Sequence, residues 1–375
     1  SCEYYPSTLP FVTVSGKSYY HPCSHYRQHP RSMVDDSDTT PGQVTRARNS
    51  FLRKARAVRR HRLIGLIINI TPSAFWLGVF FVVPLAVMFL YSFGSRGAFG
   101  EVLLGPESLG LQQYRTFFIP EGANVLQAAW YTIAWTLEWF IPGSVQLAST
   151  DPTPYVQLTV RSINYGIVTT VVCFLMGYPI AYYLARYIPT RRRNLLLALI
   201  VLPYWASYLV RVYAIQLLLS QNGLIPSLLV TLGLTETAPQ LLFRDFSVIV
   251  GLVYIWLPFM VLSVYSSIEN LDFTLHEAAM DLGGDRVDAF LQVTLPLSMP
   301  GVVAGSVLVF IPSVGAFVIP ELLGGPSTVT IGKFIASQFG AAGNWPLGAA
   351  ASFILMFIML LSIGFYQRYA GGEML

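Results

Sequence analysis

Charge is what this chain lacks. Only 11% of its 375 residues are Asp, Glu, Lys or Arg, while 54% are hydrophobic; soluble globular domains carry about 25% charged residues. That deficit excludes a single water-soluble core. Cysteine is scarce too: Cys2, Cys23 and Cys173 form no framework, and no structural disulfide is predicted. The sequence holds no H-E-x-x-H and no convincing nucleophile arrangement, so no catalytic site is expected. Ser15-Gly16-Lys17-Ser18 imitates the end of a phosphate-binding loop, but Phe11 stands where its first glycine belongs. His21, Cys23, His25 and His29 are metal-capable, yet Pro22 and Pro30 break the helix that would align them. Neither a cofactor nor a metal is expected.

What the chain does have is long apolar runs, the mark of a polytopic membrane protein in which about 20 residues make each span. Residues 1–32 are polar, aromatic and aperiodic, Met33 is the first methionine, and 1–32 read as a stretch outside the functional protein. No removable signal pattern precedes Arg46. Eight Lys/Arg crowd 46–62 and a first span follows at 63–93, kinked at Pro72 and Pro84. Five more spans are predicted at 163–187, 194–220, 246–268, 298–322 and 347–369. The segment 94–160 reads as an external loop. Within it, 125–147 carries Glu138, Pro142, Trp130, Trp135 and Trp139, which predicts an interfacial helix rather than a seventh span. Six spans with both termini cytoplasmic put fourteen basic residues inside and five outside, and leave Arg211 within a span. That topology also places 271–297 in the cytoplasm.

The stretch 271–297 is the one long amphipathic interruption of the apolar C-terminal half. Thr274 and Glu277 fit a capping box that starts a short helix. Gly283-Gly284 stops it, Asp285 caps a second helix running to Thr294, and Leu295-Pro296 opens the next span. Ala278 and Ala279 leave a shallow face, with Met280 and Leu282 for apolar contact and Glu277 and Asp281 for charge. Gly301 and Gly305, with three residues between them, predict close helix packing.

The pattern Glu277-Ala278-Ala279, three residues, Gly283, nine residues, Val293-x-Leu295-Pro296 resembles the signature loop of inner-membrane permease subunits of bacterial ABC importers. IAYYLAR (180–186), LPYW (202–205), RVY (211–213), FIPSVG (310–315), VIPELLGGP (318–326) and NWPLG (344–348) are similar to the spermidine/putrescine group of that family. Ala316, where that group often has an acidic residue, and the long 94–160 segment depart from it.

The resemblance implies an all-α, six-helix type I importer transmembrane domain in a bacterial inner membrane. Its cytoplasmic coupling helix would dock on ATPase subunits, with Glu277, Ala278, Ala279, Gly283, Leu295 and Pro296 as the coupling residues. A second permease subunit, a solute-binding protein and the lipid bilayer are the implied partners, with no nucleic acid. A polyamine is the implied cargo; an amino-acid derivative, an opine or a phosphonate are the alternatives, and a secondary carrier or membrane scaffold is the alternative class. Arg211, Tyr204, Trp205, Phe317 and Glu321 are the candidate residues of the pathway.

Overall fold

The computed structural model describes residues 71–97, 100–105, 109–120, 124–140 and 152–370. The chain divides into two units, 1–75 and 76–375, and the second holds the elements considered below apart from the first five residues of α1. The basic run at 46–62, the two N-terminal motifs and residues 141–151 lie outside the described residues.

Six helices among the described residues are long and apolar enough to cross a membrane. The first, α1 (Thr71–Tyr91), widens into a π turn at Gly78–Val82, just ahead of Pro84. Pro84 cannot donate an N–H, and the wider turn re-routes the hydrogen bonds around it. A two-stranded antiparallel hairpin follows, β1 (Ser95–Arg96) on β2 (Val102–Leu103), with Ser95 opposite Leu103. Then come α2 (Gln112–Phe118) and α3 (Val125–Phe140). At 16 residues α3 is shorter than a span needs, and Trp130 lies exposed on it.

The centre of the fold is three helices: α4 (Pro154–Arg186), α8 (Asp245–Glu269) and α10 (Arg286–Val314). Cys173, Tyr178, Met260, Val264 and Val309 form their shared buried core. Small residues let them approach. A Cβ on Gly305 would lie 2.8 Å from Met260 Sδ, and one on Gly301 would collide with the Ser267 side chain. The predicted glycine seam is therefore the α8–α10 contact. The 33 residues of α4 extend about 50 Å at 1.5 Å per residue, more than the roughly 30 Å of a hydrocarbon core.

Between α4 and α8 lie α5 (Thr190–Val201), α6 (Tyr208–Leu219) and α7 (Leu224–Thr231). After α10 come α11 (Val318–Leu323), α12 (Ile331–Phe339) and α13 (Trp345–Ala370). Val212, Ile215 and Leu219 of α6 pack with Leu252 of α8 and with Ile319 and Leu323 of α11. Polar ties fasten the same end: Tyr165 Oη donates to Asp245 Oδ1 at 2.6 Å, and Ile331 N donates to Ser162 Oγ at 2.8 Å.

Two predicted spans are corrected. The run 194–220 is not one helix: α5 ends at Val201, a 3-10 turn occupies Leu202–Trp205, and α6 starts at Tyr208. Pro203 lacks the N–H that would continue the helix. The two halves still traverse the bundle together. Arg193 pairs with Glu269 at one end of α8 (2.7 Å), Tyr204 donates to the Ile255 carbonyl midway, and Leu219 packs near Val248 at the far end. The run 298–322 also breaks: α10 ends at Val314, Gly315 caps it, and α11 is a separate short helix. Hydropathy is blind to both breaks because the residues in them are as apolar as their neighbours.

Candidate functional site

The loop between α8 and α10 folds into a short helix, α9 (Thr274–Asp281), a glycine turn and the first turn of α10. Its start differs from the expected capping box. Asp272 does the capping, its Oδ1 accepting from Thr274 N at 3.0 Å. That backbone bond, with the Thr274 side chain adding to it, holds the Asp272 carboxyl below its ordinary value. Glu277 turns the other way, and its Oε1 lies 3.3 Å from Arg186 Nη2 at the end of α4. With the N-terminal donor already served, the charge-assisted pair is the better partner for Glu277. The Arg186 guanidinium also sits 4.6 Å from the Phe273 ring centroid, so one side chain clamps both ends of the first turn.

The stop is as the sequence indicates. Gly283 has φ +95°, Gly283 N donates to Met280 O at 3.0 Å, and Gly284 N donates to Ala279 O at 3.2 Å. These bonds make a Schellman motif, which needs a left-handed residue at the position of Gly283. A Cβ on Gly283 would meet nothing within 4 Å, so the demand is one of backbone conformation and not of space inside the chain. Asp285 caps the next helix as expected, accepting from Val287 N at 2.8 Å and Asp288 N at 2.7 Å.

The second helix does not end at Thr294. It runs through a π turn at Phe290–Thr294 straight into the span, and Leu295 and Pro296 follow at once. The wide turn accommodates the missing N–H of Pro296 without a break. Thr294 is buried, and its Oγ1 lies 3.1 Å from Nδ1 of buried His276. That bond ties α9 to the π turn.

The outcome is a rigid knuckle with an exposed face. Leu282 at its tip is 90% exposed and Val287 60%, with Leu275 and Ala278 also outward. Met280 is half-buried and takes less part in that face than its sequence position indicated. Leu275, Val287, Arg186, His276 and Thr294 were not singled out as site residues in the sequence. A patch of large apolar side chains at the tip of a charged loop is the usual form of a surface meant for a partner.

The other candidate residues gather around the break between α5 and α6. The Arg211 guanidinium carbon lies 4.1 Å from the Tyr204 ring centroid and 5.9 Å from that of Tyr208. Its Nε and Nη1 are buried without a hydrogen-bond partner. Tyr204 stands edge-on to Phe259 of α8, centroids 5.5 Å apart. Trp205 is 87% exposed. Phe317 immediately precedes α11 and Glu321 lies on it, where Glu321 is bonded to Lys333 at 2.9 Å and is not a free carboxylate.

Comparison with known proteins bears on both regions. Residues 177–370 match the model of the binding-protein-dependent transport system inner membrane component family. The spermidine/putrescine transport system permease protein PotB of Salmonella typhimurium (strain SL1344) is 42% identical over 214 residues, covering 57% of this chain and 74% of that protein. PotB of Escherichia coli (strain K12) is 41% identical over 57% of this chain and 78% of its own length. The inner membrane ABC transporter permease protein YdcU of the same organism is 34% identical over 58% and 72%. Among solved structures, a chain of a bacterial ABC transporter that imports the acidic polysaccharide alginate superposes with a TM-score of 0.58 at 16% identity, over 86% of this chain and 99% of that one. At that identity the likeness is one of fold.

Proposed function

The chain belongs to the binding-protein-dependent transport inner membrane component family and is a permease subunit of an ABC importer; on that premise we propose that its cargo is a linear polyamine of the spermidine/putrescine class. The observation that carries the cargo is the 42% identity to PotB over 74% of that protein's length. A secondary carrier or membrane scaffold is not favoured.

In this reading the α9 knuckle is the coupling element. It lies on the cytoplasmic side, where the basic groups at 186–193 also stand. Ala278, Leu282 and Val287 enter a cleft of an ATPase subunit, and Gly283 keeps the tip turned tightly enough to fit. ATP is hydrolysed on that separate chain. Because α10 continues from the knuckle through the π turn into the bundle, movement of the ATPase reaches the spans through backbone hydrogen bonds. A binding protein delivers the cargo on the opposite side, and a second permease subunit completes the passage.

The test is uptake by the whole complex, with both permeases, the ATPase and the binding protein reconstituted in proteoliposomes. ATP-dependent accumulation of labelled spermidine or putrescine is expected. Accumulation of an opine or a phosphonate instead, with none of either polyamine, would reassign the cargo while leaving the permease assignment in place.

A further inference from the structure

A groove of about 530 Å³ runs along α8 between its middle and its Glu269 end. One wall is a helical stripe, Phe259, Ser263, Ser266, Ser267 and Asn270; the other includes Gly301 of α10. Four polar side chains in a row on an otherwise apolar spanning helix call for a reason, and helix packing supplies only part of one. Ser263 Oγ donates to Gly301 O at 2.9 Å and Ser267 Oγ donates to Ser298 O at 3.4 Å, which fastens α8 to α10. Ser266 is exposed, and its hydroxyl has no partner among the described residues. Asn270 Nδ2 donates to Ser266 O at 2.7 Å.

The direction of these bonds gives the groove its chemistry. Ser263 and Ser267 have spent their only protons on carbonyls, and Asn270 has directed one of its two N–H donors at the backbone. What remains for a visitor is mostly acceptors, the lone pairs of three hydroxyls and the Asn270 Oδ1, against two donors, the Ser266 O–H and the second Asn270 N–H. A surface rich in acceptors and poor in donors suits a ligand that brings donors, and an ammonium group brings three where it ends a chain. At the head of the stripe the Phe259 ring, which stands against Tyr204, gives an ammonium group an aromatic neighbour. From Phe259 to Asn270 the stripe is about 16 Å long at 1.5 Å per residue, which fits an elongated solute better than a compact one.

We propose that this groove is the part of the route through which the cargo leaves toward the cytoplasm, and that it binds linear ammonium cations through the oxygens of Ser263, Ser266, Ser267 and Asn270. The proposal rests on the polyamine reading given above. Its test uses the reconstituted complex carrying Ser266→Cys, beside the parent chain. Wild-type spermidine uptake is measured first, and its absence counts against the polyamine reading and the groove's occupant together. With uptake established, a charged, water-soluble thiol reagent should label Ser266→Cys during ATP turnover, and spermidine should slow that labelling several-fold. Ser266→Phe, which fills the groove, should lower spermidine uptake about tenfold or more, with the complex still assembling. Labelling that spermidine leaves unchanged, no labelling at all, or normal uptake by Ser266→Phe would each overturn the groove while leaving the polyamine reading intact.

Discussion

Glu277 is half-exposed and pairs with Arg186 across 91 residues of sequence, a separation no local pattern can reveal. The capping box was legible and wrong, because Asp272, two residues ahead of Thr274, accepts from the Thr274 N–H instead. An exposed pair of this kind contributes about 1 kcal/mol or less to stability. Reversing Arg186→Glu alone should therefore leave the thermal midpoint of the detergent-solubilised complex nearly unchanged while lowering transport per ATP. Arg186→Glu with Glu277→Arg should recover part of that loss, and failure of the double change to exceed both single changes would show that the pair itself does not matter. Gly283 gives a second residue-scale test. Its left-handed φ costs an ordinary L-residue roughly 1–2 kcal/mol and Asn less, so Gly283→Asn should retain more coupled transport than Gly283→Val. Equal loss in both would shift the cause from backbone strain to contact with the ATPase. Acid acts here as well. The Asp272 cap contributes fully above the usual carboxylate pKa and is lost as pH falls through its lowered value, so protection of the Thr274 amide, taken relative to its intrinsic exchange rate at each pH, should fall only in that acid range.

Among the elements, periodicity and hydropathy found that the chain is a six-helix membrane protein, the glycine seam and the Schellman turn, since each is encoded within a few neighbouring residues. They missed the break at 202–207, whose Leu202, Pro203, Tyr204 and Trp205 keep the hydropathy high while ending the helix. They also missed that α10 absorbs the second coupling helix, because a π turn has no composition of its own. The seam is the sensitive place. Any Cβ at Gly301 meets Ser267, and the neighbouring Ser263 carbonyl lies 2.9 Å from it. Overpacking at such a contact typically costs about 1–3 kcal/mol, so Gly301→Val should reduce the yield of monodisperse complex. Gly364→Ala on α13, where a Cβ meets nothing within 4 Å, is the control expected to behave as wild type. Arg211 belongs to the break. Its unpartnered nitrogens offset what its stacking on Tyr204 contributes, so Arg211→Met should change stability by no more than about 1 kcal/mol. Any larger drop in uptake than in folded yield then reports on the passage itself.

For the molecule as a whole, the distribution of basic residues predicts which side of the membrane each end of the bundle faces. A cysteine introduced at Asp281 should react with an impermeant reagent only from the ATPase side, and one at Gly343 only from the opposite side. The reverse pattern would invert the topology and separate the knuckle from ATP. The same arrangement bears on how the chain can change in length. A helix turns about 100° per residue, so the knuckle at Arg286 and the wall at Gly301 keep their phase only for a fixed count of α-helical residues between them. Deleting a single residue within 297–300 would rotate the dock about 100° away from the groove, with no residue of either one altered. Loss of the extra residue of the π turn at 290–294 would instead close that turn to regular α geometry and keep the phase, so the π turn is the one place in this helix where the chain can change in length.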